Sequence, residues 1–269
     1  MIIGTKDFPS GERTYIMGIL NVTPDSFSDG GTHNTLETAL AHAEKMVEQG
    51  ADILDVGGES TRPGHIQIGD EEEIRRVVPI ITELKKRFDV PVSIDTYKSP
   101  VAEAALEAGA DMLNDIWGFR YDERMAELAA SYDVPVCLMH NRDNTEYNNF
   151  MAEVVKDLQC SLAIAKKYGV KDERIMLDPG VGFGKTLEQN LDIMNHLEDI
   201  VKMGYPVLLG TSRKSMIGLT LDLPVTEREE GTLATSVIGA MKGCEYVRVH
   251  DVEKNVRALK MTDAIIKRG

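Results

Sequence analysis

Cysteine is scarce in this 269-residue chain: Cys137, Cys160 and Cys244 are the whole complement, at scattered spacings and without a CxxC pair. An odd number without that spacing excludes a disulfide framework and suits a reducing compartment, so all three are expected as small, buried apolar residues. Basic residues are in deficit, 30 Lys and Arg against 44 Asp and Glu, for a formal charge of −14 and a pI near 4.9. That balance repels the phosphates of nucleic acid and an anionic membrane surface, and neither is an expected partner. Met1 to Arg13 carries only short apolar runs broken by Lys6, Asp7, Glu12 and Arg13, so neither a signal peptide nor a membrane span is expected and the location follows as cytoplasmic. HExxH and GxSxG motifs are missing and the six histidines are dispersed, which argues against zinc hydrolysis and serine acyl transfer. DPGVGFGKT, from Asp178 to Thr186, comes near a phosphate loop. Pro179 stands where GxxxxGKT requires its first glycine, and GxGxxG fails as well.

What the chain does have is rhythm. Short runs rich in β-branched residues alternate with segments of helical period along its whole length. Strands are expected near Tyr15–Leu20, Ile53–Val56, Pro91–Ile94, Met112–Leu113, Val134–Met139, Ile175–Leu177, Val207–Leu209 and Tyr246–Val249. Helical stretches such as Leu36–Gln49, Val101–Ala108 and Thr232–Lys242 stop at Gly50, Gly109 and Gly243, each just ahead of a strand. Eight strand–helix units with no Pro- or Ser-rich linker point to an α/β fold closed as a (β/α)8 TIM barrel in a single domain. The competing architecture, a doubly wound open sheet, would place a nucleotide loop after its first strand, where this chain reads Asn21-Val22-Thr23-Pro24-Asp25.

A barrel of this kind gathers its chemistry at the carboxyl ends of its strands. Those ends read Asn21, Asp55, Asp95, Asn114 with Asp115, His140, Asp178, Thr211 with Ser212, and Arg248 with His250. One polar residue closing a strand is ordinarily a helix cap or a turn former. Eight sets meeting on one rim instead predict a pocket for a polar heterocycle. Gly210 to Ser215 (GTSRKS) brings backbone N–H groups, a hydroxyl and the cations Arg213 and Lys214 to the start of a helix, a plausible anion site. Arg248 and His250, two apart, share one face and can address one anion. The segments Val22–Gly31 and Gly57–Gly69 are long for βα connections and read as lids, with Phe27 in the first and Thr61-Arg62-Pro63 in the second. Phe183 in the glycine-rich turn supplies an apolar wall. For a metal, a hard cation fits best: Mg²⁺ held by Asn21, with Asp25, and by oxygens of a substrate.

With these residues laid out, the chain resembles the dihydropteroate synthases over nearly its whole length. The motifs, in order, are MGILNVTPDSFSDGG from Met17, DVGGESTRPG from Asp55, SIDTYK from Ser93, NDIWG from Asn114, DPGVGFGK from Asp178, GTSRKS from Gly210 and RVHD from Arg248. The resemblance implies a single pterin-binding barrel domain over residues 1–269 that joins 6-hydroxymethyl-7,8-dihydropterin diphosphate to para-aminobenzoate, releasing diphosphate on the route to folate. It implies that Asp95, Asn114 and Asp178 bond the pterin ring and that Lys214, near Gly210, donates to the ring's acceptors. Asn21, Thr61, Arg248 and His250 would hold the diphosphate with Mg²⁺, with Asp25 beside that ion. Ser212 would receive the arylamine carboxylate, while Phe183, Arg62, Pro63 and Phe27 shape the slot around its ring. Lys214, Arg248, His250 and Asp95 are the residues expected to act on the reacting groups, a homodimer is implied, and sulfonamide analogues of the arylamine should compete. Two other classes remain: a methyltetrahydrofolate–corrinoid methyltransferase, which has no diphosphate to hold, and a paralogue that binds pterin without turnover.

Overall fold

The period-two pattern of the strand runs is what builds this molecule, because alternate side chains face opposite sides of a strand. The structure, a computed structural model, describes residues 1–22, 32–60 and 67–266, with the backbone alone for 32–35. A short antiparallel hairpin, β1 (Ile2–Ile3) with β2 (Lys6–Asp7), precedes eight parallel strands: β3 (Tyr15–Asn21), β4 (Ile53–Gly57), β5 (Val92–Asp95), β6 (Met112–Asp115), β7 (Val136–Met139), β8 (Ile175–Asp178), β9 (Leu208–Leu209) and β10 (Tyr246–Val249). They lie in the order β8-β7-β6-β5-β4-β3-β10-β9, and a bridge from Leu177 to Val207 brings the two ends together as a closed barrel. All eight expected strands are present. The hairpin had no counterpart among the sequence expectations; its two-residue strands lie in a stretch of mixed apolar and charged residues that shows no period.

Outside the barrel run α1 (Thr32–Glu48), α2 (Asp70–Arg87), α3 (Ser99–Glu107), α4 (Arg124–Tyr132), α5 (Phe150–Lys167), α6 (Leu187–Asn195), α7 (Leu197–Val201), α8 (Ser215–Leu221), α9 (Glu229–Met241) and α10 (Val252–Ile266). Gly50, Gly109 and Gly243 carry the left-handed φ that ends a helix and turns the chain into the next strand. Outward strand residues such as Ile16, Leu54, Ile94, Leu138, Leu177 and Val247 pack under the helices in the main core. Inward residues Tyr15, Met17, Ile53, Met112, Cys137, Met176, Leu208 and Tyr246 fill the lower barrel, where the hairpin adds Ile3 and Phe8. The Phe8 ring stands edge-on to Tyr15 at 5.0 Å, and Tyr15 lies 5.2 Å from Tyr246. Each such buried side chain is worth about 2 kcal/mol of transfer free energy, so the lower half is a sealed apolar plug. The same alternation carried two residues further turns Ile53 into Asp55, Met112 into Asn114, Met176 into Asp178 and Tyr246 into Arg248. The upper layer is polar.

Cys160 departs from expectation. Cys137 and Cys244 are buried, but Cys160 is exposed on α5, on the solvent side of that helix's buried stripe of Val154, Leu158, Ser161 and Leu162.

Candidate active site

Directly above the apolar plug, the barrel opens into a cavity of about 640 Å³ lined by Asn21, Asp95, Asn114, Asp178, Phe183, Gly210, Ser212, Lys214, Arg248 and His250. Within the described chain, these include every residue that the family resemblance implies for the site, whereas the strand-end candidates Asp55, Asp115, His140 and Thr211 do not line it. Asp25, Phe27, Thr61, Arg62 and Pro63 lie outside the described residues. Ile19, Ile116, Met139, Val225 and Arg228 complete much of the wall without having been foreseen. Ile19 and Met139 could have been found from inward parity alone.

At the floor, Arg248 spans two buried carboxylates, its Nε donating to Asp55 Oδ2 and its Nη2 to Asp95 Oδ2, each at 2.6 Å. Two of the five guanidinium donors are thereby spent and three remain for a ligand. Asn114 Nδ2 also donates to Asp55 Oδ2, at 3.1 Å. The second oxygen of Asp95 is buried and has no partner among the described residues. Burial raises the Asp95 carboxyl to about 7 against the pull of Arg248. An acceptor held dry and unpaired costs roughly 1–3 kcal/mol, which a ligand N–H would recover.

Asp178 and Lys214 form the second element. Asp178 Oδ1 accepts from the Gly180 N–H at 2.6 Å, and burial raises its carboxyl while Lys214 draws it back. The Lys214 stem is partly exposed in the cavity but its ammonium is enclosed; burial lowers it to about 8, opposed by Asp178. That ammonium donates to the Val181 carbonyl and sits 4.6 Å from the centre of the Phe183 ring, a cation–π distance. At the rim, Ser212 Oγ accepts from the His250 backbone N–H at 3.1 Å and lies within hydrogen-bonding distance, 2.9 Å, of His250 Nδ1. His250 itself falls one residue past the end of β10.

Three rim candidates turn away. Asp115 accepts from the backbone N–H groups of Trp117 and Phe119, both at 2.8 Å, and shapes the turn after β6. His140 joins Asp157 and Lys185 behind the barrel wall, and Thr211 bonds Thr235 on α9. Asp115, one step along the strand from inward-facing Asn114, faces outward by strand parity. Arg213 is not the free cation expected at the GTSRKS turn: it is bidentate to Asp251 at 2.8 Å. Arg248 is ion-paired too, with Asp55 and Asp95.

Comparison with known proteins now bears on this cavity. The family described as pterin binding enzyme matches residues 17–250. A dihydropteroate synthase of Clostridium beijerinckii is 65% identical over all of both chains. The chain belongs to the dihydropteroate synthase family. Among solved structures of that family, the enzyme of Clostridium difficile in the presence of pteroic acid superposes with a TM-score of 0.95 at 54% identity, covering 97% of this chain and 99% of that one. The Xanthomonas albilineans enzyme with 4-aminobenzoic acid gives 0.91 at 43% identity, covering 95% and 94%. In this dihydropteroate synthase-family barrel, no group of three or more His, Cys, Asp or Glu among the described residues is arranged to hold a metal. Asn21, whose side chain carries an amide oxygen, lines the cavity.

Proposed function

We propose that the cavity performs the reaction of its family: 6-hydroxymethyl-7,8-dihydropterin diphosphate and para-aminobenzoate enter, and dihydropteroate and diphosphate leave. The observation that carries this reading is the unpaired, buried Asp95 oxygen set across from the Asp178–Lys214 pair. A pterin edge bears ring N–H and exocyclic amine donors beside carbonyl and ring nitrogen acceptors. Asp95 and Asp178 supply the acceptors, Asn114 an amide, and Lys214 the donor.

The floor carries three carboxyl groups, Asp55, Asp95 and Asp178, against two cations, Arg248 and Lys214. It therefore has no positive charge to spare for a diphosphate. Held by the Asn21 oxygen, with Asp25 and diphosphate oxygens, Mg²⁺ would supply that neutralisation, and a hard cation content with few protein ligands suits the donor set. The remaining Arg248 N–H groups and His250 would bind the leaving group as charge develops on it. Ser212 would turn its hydroxyl from His250 to the arylamine carboxylate, and Phe183 would form one face of the arylamine slot. An arylamine is largely unprotonated at neutral pH, so positioning it matters more than a general base.

The exposed Leu219 and Leu221 of α8, Ile238 and Met241 of α9, and Met261 and Ile265 of α10 support a homodimer through this face. No helix among the described residues is long and apolar enough to cross a membrane. The three unpaired cysteines favour a cytoplasmic setting. The deciding experiment is diphosphate release from the dihydropterin diphosphate with Mg²⁺, with and without para-aminobenzoate. Release that depends on the arylamine and yields dihydropteroate is expected; pterin binding without turnover would make the chain a binding paralogue.

A further inference from the structure

The glycine-rich turn between β8 and α6 ends in Lys185, whose side chain runs away from the cavity and is buried. Its Nζ lies 2.8 Å from the Gly180 carbonyl, 2.9 Å from the Phe183 carbonyl and 2.8 Å from His140 Nδ1. The two carbonyls can only accept. His140 Nε2 faces Asp157 Oδ2 at 3.2 Å, so its proton belongs on Nε2 and Nδ1 accepts as well. Three acceptors around one nitrogen match the three protons of an ammonium, and a neutral amine would leave one unmet. Burial pulls the other way, lowering Lys185 to about 7, with Asp178 and Asp157 opposing and Lys214 and Arg142 assisting.

This knot ties together loops from different strands. Asp157 on α5 also accepts from Arg142 Nε at 2.7 Å and pairs with Arg120 Nη1 at 3.4 Å. The turn passes close against the strand end beside it: Gly180, at φ +68°, would put a Cβ 1.8 Å from the His140 carbonyl oxygen. On its other side, Asn190 Oδ1 holds the Gly182 N–H at 2.6 Å. The Phe183 ring, with Gly182 beside it, faces the cavity, and the Lys214 ammonium lies 4.6 Å from the ring centre.

We propose that Lys185 is a positioning residue for the arylamine half of the site, fixing the Phe183 ring by clamping the Gly180 and Phe183 carbonyls to His140. This rests on the reading that the arylamine lies against Phe183. Asp178 is anchored in the β8 ladder and Lys214 at the start of α8, so although both also touch this turn, at the Gly180 N–H and the Val181 carbonyl, the clamp acts less on the pterin half than on Phe183.

Arylamine-dependent diphosphate release by the unaltered protein comes first; its failure would count against the functional reading, not against the clamp. Lys185→Met, which keeps the stem and removes every donor, is then expected to raise the KM for para-aminobenzoate about tenfold while the Kd for the pterin stays within about threefold. If Lys185→Met does not fold, His140→Leu decides, since it removes one anchor and leaves both carbonyl contacts; a selective rise of about threefold in the same KM is expected. Parallel weakening of both substrates, or no change in either, in whichever variant folds, overturns the proposal.

Discussion

Asp55 and Asn114 meet beneath the cavity, the Asn114 Nδ2 donating to Asp55 Oδ2 over 3.1 Å, and this contact decides which end of the amide a ligand meets. With its nitrogen drawn down to the carboxylate, Asn114 turns its oxygen toward the cavity. Asp55 also takes the Arg248 Nε, so one fully buried side chain orients two residues that face the ligand. Asp55→Ala is expected to cost about 3 kcal/mol of stability and roughly tenfold in pterin affinity, because it leaves a buried guanidinium short of a partner and an amide free to flip. Urea unfolding and calorimetric titration would measure both. Unchanged pterin affinity would remove the amide's orientation from recognition.

Pterin affinity should pass through a maximum with pH. Asp95, raised to about 7, is an ionised acceptor only above that value, and Asp178, also raised, adds to the acid limb. Lys214, lowered to about 8, loses its positive charge and one of its three protons above that value, which weakens its hydrogen bonds to the ring acceptors. Binding of 6-hydroxymethyl-7,8-dihydropterin, free of diphosphate, is therefore strongest between these limits and falls by up to about tenfold per pH unit beyond them. Lys214→Ala should abolish the alkaline limb and most turnover. A flat profile from pH 6 to about pH 9 would contradict the charge assignments.

His140 predicts a stability effect of definite sign. Burial lowers its pKa from 6.5 to about 4, so the unfolded chain takes up a proton that the native chain refuses. Its contribution is whole above pH 6.5 and is lost as pH falls toward 4. The buried carboxyls with raised pKa act in the opposite sense, so the informative quantity is a difference between two proteins. The stability advantage of the native chain over His140→Gln should shrink by about 2 kcal/mol between pH 7 and pH 5 in urea titrations. A constant gap would mean that His140 takes up its proton at the same pH in the folded and unfolded chain.

The apolar face of α8, α9 and α10 should bring two chains together. Sedimentation velocity is expected to show twice the chain mass for the native protein and a single chain for Met241→Glu combined with Ile265→Glu, with unchanged circular dichroism. A native protein that sediments as one chain at high concentration would defeat the dimer.

Legibility was uneven, for physical reasons. Seven barrel strands of four to seven residues show their period, and the two-residue β9 was readable within the apolar run Val207–Leu209; the two-residue strands of the hairpin, set among charged residues, were not. Position along the chain flagged every polar strand end, but parity sorted them. Asp115 follows inward Asn114 and His140 follows inward Met139, so both leave the cavity, and counting by two from Met112 and Cys137 would have said so. Asp251 could be named as a possible partner for the basic clusters at the strand ends, but over 38 positions nothing in the sequence assigned it to Arg213.

By itself, then, the sequence determined the barrel, through local alternation and helix-stopping glycines, and the set of residues at its mouth, through their place at strand ends. Tertiary structure alone decided their partners. Arg248 reaches Asp55 across 193 positions, and Lys185 reaches back 45 to His140. Closing the barrel brings such groups to hydrogen-bonding distance, and neither propensity nor period carries information over that separation.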